Sequence, residues 1–286
     1  MHSLTSLTPR QSITVDGIQL NYQASLLTRE HPTLVLIHGF GASLETWGDI
    51  WPLLVPHHSV VRVDLKGAGF SSKPRDQHYG PVDQAHLISA LLRMLSLTNV
   101  ILVGHSLGGG IALFTCLNSL GSASDFVKGL ILIDSAGYPQ QLPFFVNVFT
   151  HTTTRFLASI IPKGLSAHYV LQRIFHLKER ITPDRIHRYS FFFDLPGSRQ
   201  ALYQTAKQIV PDNVNALTSQ FGRIAVPTLV VWGELDPVIL VENGRRFNRD
   251  IPNSRLLVLA DTGHVPQEER PLEVFKAIEE FVRTLK

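Results

Sequence analysis

Six short, almost wholly apolar runs set the narrowest limit on what this chain can become. They occupy residues 33–37, 60–63, 100–103, 130–133, 228–231 and 256–259. A strand buried on one face alternates apolar with polar residues, whereas an unbroken apolar run suits a strand covered on both faces. Segments of helical periodicity, notably 82–95, 107–117 and 272–285, separate most of these runs. Such alternation predicts an α/β chain with a mostly parallel central sheet of about eight strands, flanked by helices on both faces. Two further strands come from an opening hairpin, residues 12–15 and 18–24 about an Asp16-Gly17 turn.

One interval breaks the rhythm. More than ninety residues separate Ile133 from Thr228 without a convincing buried strand. The interval is rich in phenylalanine (Phe144, Phe145, Phe149, Phe156, Phe175, Phe191, Phe192, Phe193) and punctuated by Pro143, Pro162, Pro183 and Pro196. Short helices between prolines are the natural reading. A loop of that length is uncommon in a compact domain unless it forms a unit of its own. Residues 1–136 and 224–286 are therefore assigned to the core and 137–223 to an inserted helical cap.

Composition excludes several function classes. At 44% hydrophobic and 17% charged residues, the 286-residue chain has enough apolar content for a large core. The net charge of +3 comes from 26 basic and 23 acidic residues with no long basic run, so no nucleic-acid partner is expected. Arg245, Arg246 and Arg249 read as a solvated helix face. Cys116 is the sole cysteine, which rules out an internal disulfide or a cysteine-based metal site, and its apolar neighbours suggest a buried thiol. The polar N-terminus lacks a secretory pattern, and no apolar run nears the ~18 residues needed to cross a bilayer. Without stable membrane insertion, a cytoplasmic monomer or homodimer acting on a small-molecule substrate is expected. Leu142–Val146 and Ile160-Ile161 read as buried acyl-pocket residues rather than lipid anchors.

The chemistry centres on Gly104-His105-Ser106-Leu107-Gly108, which sits directly after one apolar run and directly before a helix-period segment. A nucleophile lifted from a sheet needs a very sharp strand-to-helix turn, and glycines two residues before and after it leave room for that turn. A serine also needs a base. Of thirteen histidines, His264 stands out because it follows the last apolar run in Asp261-Thr262-Gly263-His264. Loops at strand C-termini converge on the ligand crevice of an α/β sheet. The base needs a carboxylate to fix its tautomer. Asp236, in Gly233-Glu234-Leu235-Asp236-Pro237 after the run 228–231, is preferred over Asp134 and Glu234. Backbone N–H groups of Leu107 and Phe40 are the expected oxyanion donors, Phe40 lying in His38-Gly39-Phe40-Gly41 after the run 33–37. Gly39, His105, Phe144, Phe145 and Val265 are the expected substrate-binding residues. No metal and no cofactor is expected.

Taken in order, His38-Gly39-Phe40-Gly41-Ala42-Ser43, Asp64-Leu65-Lys66-Gly67-Ala68-Gly69-Phe70-Ser71, the Ser106 motif, Trp232-Gly233-Glu234-Leu235-Asp236 and Gly263-His264 closely resemble the capped α/β-hydrolase fold family. The resemblance covers residues 12–136 and 224–285 and matches the family's chain order of Ser, Asp and His. It implies a triad-based hydrolase of the esterase type, and a structural turn rather than a catalytic role for Asp64. Related haloalkane dehalogenases and epoxide hydrolases use an aspartate where this chain has Ser106. C–C hydrolases of the meta-cleavage type typically have Asn before the nucleophile and Trp after the histidine; His105 and Val265 stand there instead. Carboxylic ester hydrolysis is the broadest fit. Lactone or C–C hydrolysis is the alternative, and a slow, receptor-like ligand binder the alternative of another class.

Overall fold

The structure is a computed structural model and describes residues 8–25, 31–120, 126–150 and 162–285. The opening hairpin forms as its pattern requires: β1 (Gln11–Val15) and β2 (Ile18–Ser25) pair antiparallel. Asp16 and Gly17 both adopt positive φ between them, the twist that a two-residue hairpin turn needs. Six more strands follow: β3 (Thr33–Ile37), β4 (Val60–Val63), β5 (Val100–His105), β6 (Val127–Ile133), β7 (Thr228–Gly233) and β8 (Ser254–Leu259). One eight-stranded sheet results, in the order β1-β2-β4-β3-β5-β6-β7-β8, with every pair from β4 to β8 parallel.

Alternation along the strands divides the core into two layers. Val35, Ile37, Val61, Leu102, Leu132 and Val230 face a cluster shared with α2 (Pro81–Met94), α3 (Leu107–Ser119) and α9 (Val241–Asp250). Their neighbours Leu34, Leu36, Ile101, Val103, Ile131 and Val231 face the opposite cluster, with α1 (Trp51–Leu54) and α11 (Pro271–Arg283). Cys116 is buried among the first set, and Arg245, Arg246 and Arg249 are exposed on α9. One expectation is corrected: β8 is not covered on both faces. All six of its residues are half-buried, because β8 is the last strand of the sheet. Its apolar run marks a strand without marking its place in the order.

Between β6 and β7 the described residues contain helices and no strand: α4 (Phe144–Thr150), α5 (Lys163–Ile174), α6 (Pro183–Phe192), α7 (Ser198–Lys207) and α8 (Val214–Thr218). Prolines punctuate them. Pro162 caps α5, Pro183 opens α6 and the Pro143 carbonyl accepts the Val146 and Asn147 N–H groups of α4. Leu171, Ile174 and Phe175 form a third buried cluster together with Val265, which follows β8. Phe156, Ile160, Ile161 and the Phe149 side chain lie outside the described residues. Among the described residues no helix is long and apolar enough to cross a membrane. The short α10 (Pro266–Glu269) follows β8 and leads into α11.

Candidate active site

Ser106 sits between β5 and α3 with φ 53° and ψ −122°, a backbone conformation that L-residues rarely adopt. Strain of this kind costs on the order of 1–3 kcal/mol and persists only where the surroundings fix it. Here the Ser106 N–H donates to the Ile133 carbonyl at 3.0 Å, and its own carbonyl accepts the Ala136 and Gly109 N–H groups at 2.9 Å. Two flanking glycines make the turn possible. A Cβ on Gly104 would lie 2.3 Å from the Gly108 carbonyl oxygen, and one on Gly108 would lie 2.2 Å from that of Ile37. The hydroxyl therefore stands at the N-terminus of α3, where unpaired N–H groups and the helix dipole favour negative charge.

His264 and Asp236 reach the same point from the ends of β8 and β7. His264 Nε2 lies 3.0 Å from Ser106 Oγ, and Nδ1 lies 2.7 Å from Asp236 Oδ2. Both residues are buried. Asp236 Oδ1 is held by the N–H groups of Val238 at 2.7 Å and Ile239 at 3.1 Å, so the carboxylate is fixed before it meets the imidazole. An Nδ1–H donating to Asp236 leaves the Nε2 lone pair for the serine proton.

The competing residues are occupied otherwise. Glu234 is exposed. Asp134 Oδ1 accepts the Gly233 N–H at 2.8 Å, while Oδ2 has no hydrogen-bond partner. Burial, reinforced by the charge of Asp236, pushes the Asp134 pKa well above the usual carboxylate range. The imidazole Nδ1 pairs with Asp236, not with Asp134. His38 donates from Nδ1 to the Gly39 carbonyl at 2.8 Å and accepts the Leu65 N–H at Nε2, and burial lowers its pKa. Asp64 binds the N–H groups of Leu44 and Phe70 and the Asn21 side chain, which fits the expected structural turn.

One grouping escaped the sequence because its members come from three strand ends. Donor atoms of Asp134, Asp236 and His264 lie within 4.8 Å of one another, a set that could hold a cation. A metal on His264 Nδ1 would displace its proton to Nε2, where the ring could no longer accept from Ser106. Cation binding and base catalysis exclude each other at this imidazole.

Ser106 and His264 open onto a cavity of about 1330 Å³, its solvent-filled mouth included. Gly39, Phe40, His105, Leu107, Phe145 and Val265, all expected site residues, line it with Ser106 and His264. Among the described residues no Asp, Glu, Lys or Arg does so. One expectation needs correction. Phe144 is 70% exposed and contributes nothing to the wall, because successive positions on a helix point in different directions and it is Phe145 that turns to the cavity. His105 lines the cavity, but its Nε2–H donates to the His264 carbonyl at 2.7 Å, and burial plus the neighbouring His264 lower its pKa to about 3. It braces the histidine loop as a neutral ring. Of the aliphatic wall, sequence reasoning named Val146, within Leu142–Val146, but missed Ala167, Val170, Ile209 and Val210. Nothing in their local pattern distinguishes a wall residue from any other apolar position.

Known proteins agree with this architecture. A family model described as the alpha/beta hydrolase fold matches residues 32–271. The chain is 28% identical over 284 residues to the uncharacterized hydrolase YugF of Bacillus subtilis (strain 168), covering 98% of this chain and 100% of that protein. It is 30% identical over 256 residues to Lipase 1 of Psychrobacter immobilis, covering 82% and 72% respectively. Among solved structures, a thermophilic esterase from Thermogutta terrifontis superposes with a TM-score of 0.78 at 24% identity, covering 97% of this chain and 99% of that one. That last likeness is one of fold.

Proposed function

The chain belongs to the alpha/beta hydrolase fold family, and on that premise we propose that it is a serine hydrolase of carboxylic esters with small to medium, uncharged, apolar substrates. One observation carries the reading: His264 bridges Ser106 and Asp236 at 3.0 and 2.7 Å on the floor of an apolar cavity. Ser106 Oγ attacks the ester carbonyl while His264 Nε2 takes its proton. Asp236 keeps the Nδ1–H in place and offsets the imidazolium charge. The N–H groups of Leu107 and Phe40 receive the oxyanion. Collapse of the tetrahedral intermediate breaks the C–O bond, and the departing alcohol takes the proton from His264. Water, deprotonated by the same imidazole, then attacks the acyl-serine; Ser106 leaves with the proton and the carboxylic acid is released.

Residues 137–223 act as the cap in this reading, with Phe145 on the acyl side and Gly39 and Val265 beside the reacting carbon. The uncharged wall favours an ester over a substrate bearing its own carboxylate, as burying an unpaired anion there would be costly. A fluorophosphonate probe followed by peptide mass spectrometry tests the assignment, with labelling expected at Ser106 alone. Adduct on another serine would overturn it. Rates on p-nitrophenyl esters, lactones and a vinylogous C–C substrate then rank the reaction class, and ester turnover is expected to lead.

A further inference from the structure

The mechanism makes no use of Glu269, although this carboxylate is completely buried beside the histidine loop. Its Oε1 accepts the Gly263 N–H at 2.9 Å. Its Oε2 accepts the His176 and Leu177 N–H groups, at 2.8 and 2.7 Å, from the turn that follows α5 in the insertion. One side chain thus ties the residue before His264 to the far side of the cavity. The tie is doubled by the main chain, where the His264 N–H donates to the Ile174 carbonyl at 2.8 Å. The two segments are pressed together so closely that a Cβ on Gly263 would sit 2.5 Å from the Ile174 oxygen and 2.6 Å from the His176 nitrogen. His105 holds the His264 carbonyl from below. The imidazole therefore stands on a backbone whose N–H is held by the insertion and whose carbonyl is held by the core.

We propose that Glu269 is a positioning residue that makes the placement of His264 depend on the seating of the Ile174–Leu177 corner of the insertion. The inference rests on the serine-hydrolase reading above. A carboxylate that accepts three backbone N–H groups cannot be replaced by an amide of the same shape. In Glu269→Gln the NH2 group must face either Gly263 or the His176 and Leu177 pair, donor against donor, and one side of the clamp opens. When the corner lifts, His264 loses its main-chain partner and drifts from Ser106. The hydrolase is then competent only while the insertion is seated.

The test uses the full-length protein at room temperature, normalised to folded protein by near-ultraviolet circular dichroism. Its readouts are the rate of fluorophosphonate labelling at Ser106 and kcat and KM on p-nitrophenyl acetate. Glu269→Gln is expected to lower labelling and kcat about 10–100-fold with KM within about threefold, since a misplacement of about 1 Å can cost ~10² in rate. Leu177→Pro deletes one donor from the insertion side only, and Leu177 already has φ −76°, which proline accepts. It is expected to slow labelling about three- to tenfold, and it decides the matter if Glu269→Gln fails to fold. Arg185→Met is the control. It breaks a different insertion-to-core contact, the ion pairs of Arg185 with Glu268 and Asp49, and is expected to lower Tm while leaving kcat within about threefold. Wild-type labelling rates in the folded Glu269→Gln or Leu177→Pro variants would overturn the clamp, as would a kcat loss in Arg185→Met equal to that in Glu269→Gln. No adduct on Ser106 in the wild type would overturn the serine-hydrolase reading instead.

Discussion

The floor and the roof of the cavity are built by different means. On the floor, Ser106, Asp236 and His264 hang from strand ends, are held by backbone hydrogen bonds and sit against glycines that tolerate no added atom. The roof is a set of short helices that present apolar side chains and hold part of their aromatic surface in water, as at Phe144 and Phe191. Rigid strand ends can hold reacting atoms to within a few tenths of an ångström; helices packed through aliphatic contacts can shift to fit what they enclose. In the proposed reading the floor supplies reactivity and the roof selectivity, and at the Glu269 corner the roof reaches the floor's histidine.

Substitutions on the two sides test that division, beginning with the floor, where the largest losses are expected. Ser106→Ala should cut kcat by up to about 10⁶ with the fold intact, as triad nucleophiles do. Retention of more than a few per cent of the rate on the best ester would remove Ser106 from its role and the comparison with it. Asp236→Asn should cost up to about 10⁴ by freeing the wrong tautomer of His264, the magnitude known from the serine-protease case. Asp134→Asn should cost less than about tenfold, because the imidazole pairs with Asp236 and an Asn oxygen can still accept the Gly233 N–H. A reversed ranking would transfer the acid to β6.

Roof effects should be smaller and confined to specificity. Each buried methylene contributes roughly 0.8 kcal/mol, about fourfold in binding. Accordingly kcat/KM should climb from acetate towards medium-chain esters and fall once the cavity is full. Phe145→Ala should flatten that climb without slowing acetate, whereas Phe144→Ala, on the outside of the same helix, should leave the series unchanged. A flat or falling wild-type series from two to eight carbons would refute the acyl-pocket role of the roof.

The smallest expected effect is on stability and sharpens the view of the floor. A carboxyl whose folded pKa is raised contributes stability that is present below its unfolded pKa and lost as pH rises through the folded value. Asp134 is such a group. Asp134→Asn should therefore match the wild type near pH 4 and exceed it in Tm by a few degrees near pH 9, with about 2–4 °C for each kcal/mol. His105 acts with the opposite sign. Its folded pKa of about 3 lies below the ordinary 6.5, so stability should decline as pH falls from 6.5 towards 3. A parallel Tm profile for wild type and Asp134→Asn across this range would mean that Asp134 is ionised in the folded protein.

How much of this was legible beforehand depends on the distance over which each signal acts. The sheet, the hairpin, the Ser106 turn and the loops carrying Asp236 and His264 were all readable, because apolar alternation, helical period and glycine spacing are local and report on a few residues at a time. Tertiary structure alone decided what those segments meet. Among the matters left to it are β8 at an edge and Phe145 inward with Phe144 outward. It also joined Glu269 to a turn more than ninety residues away. Contacts of that kind depend on which face of each element packs against its neighbour, and a run of residues in one segment carries no record of the surface waiting opposite.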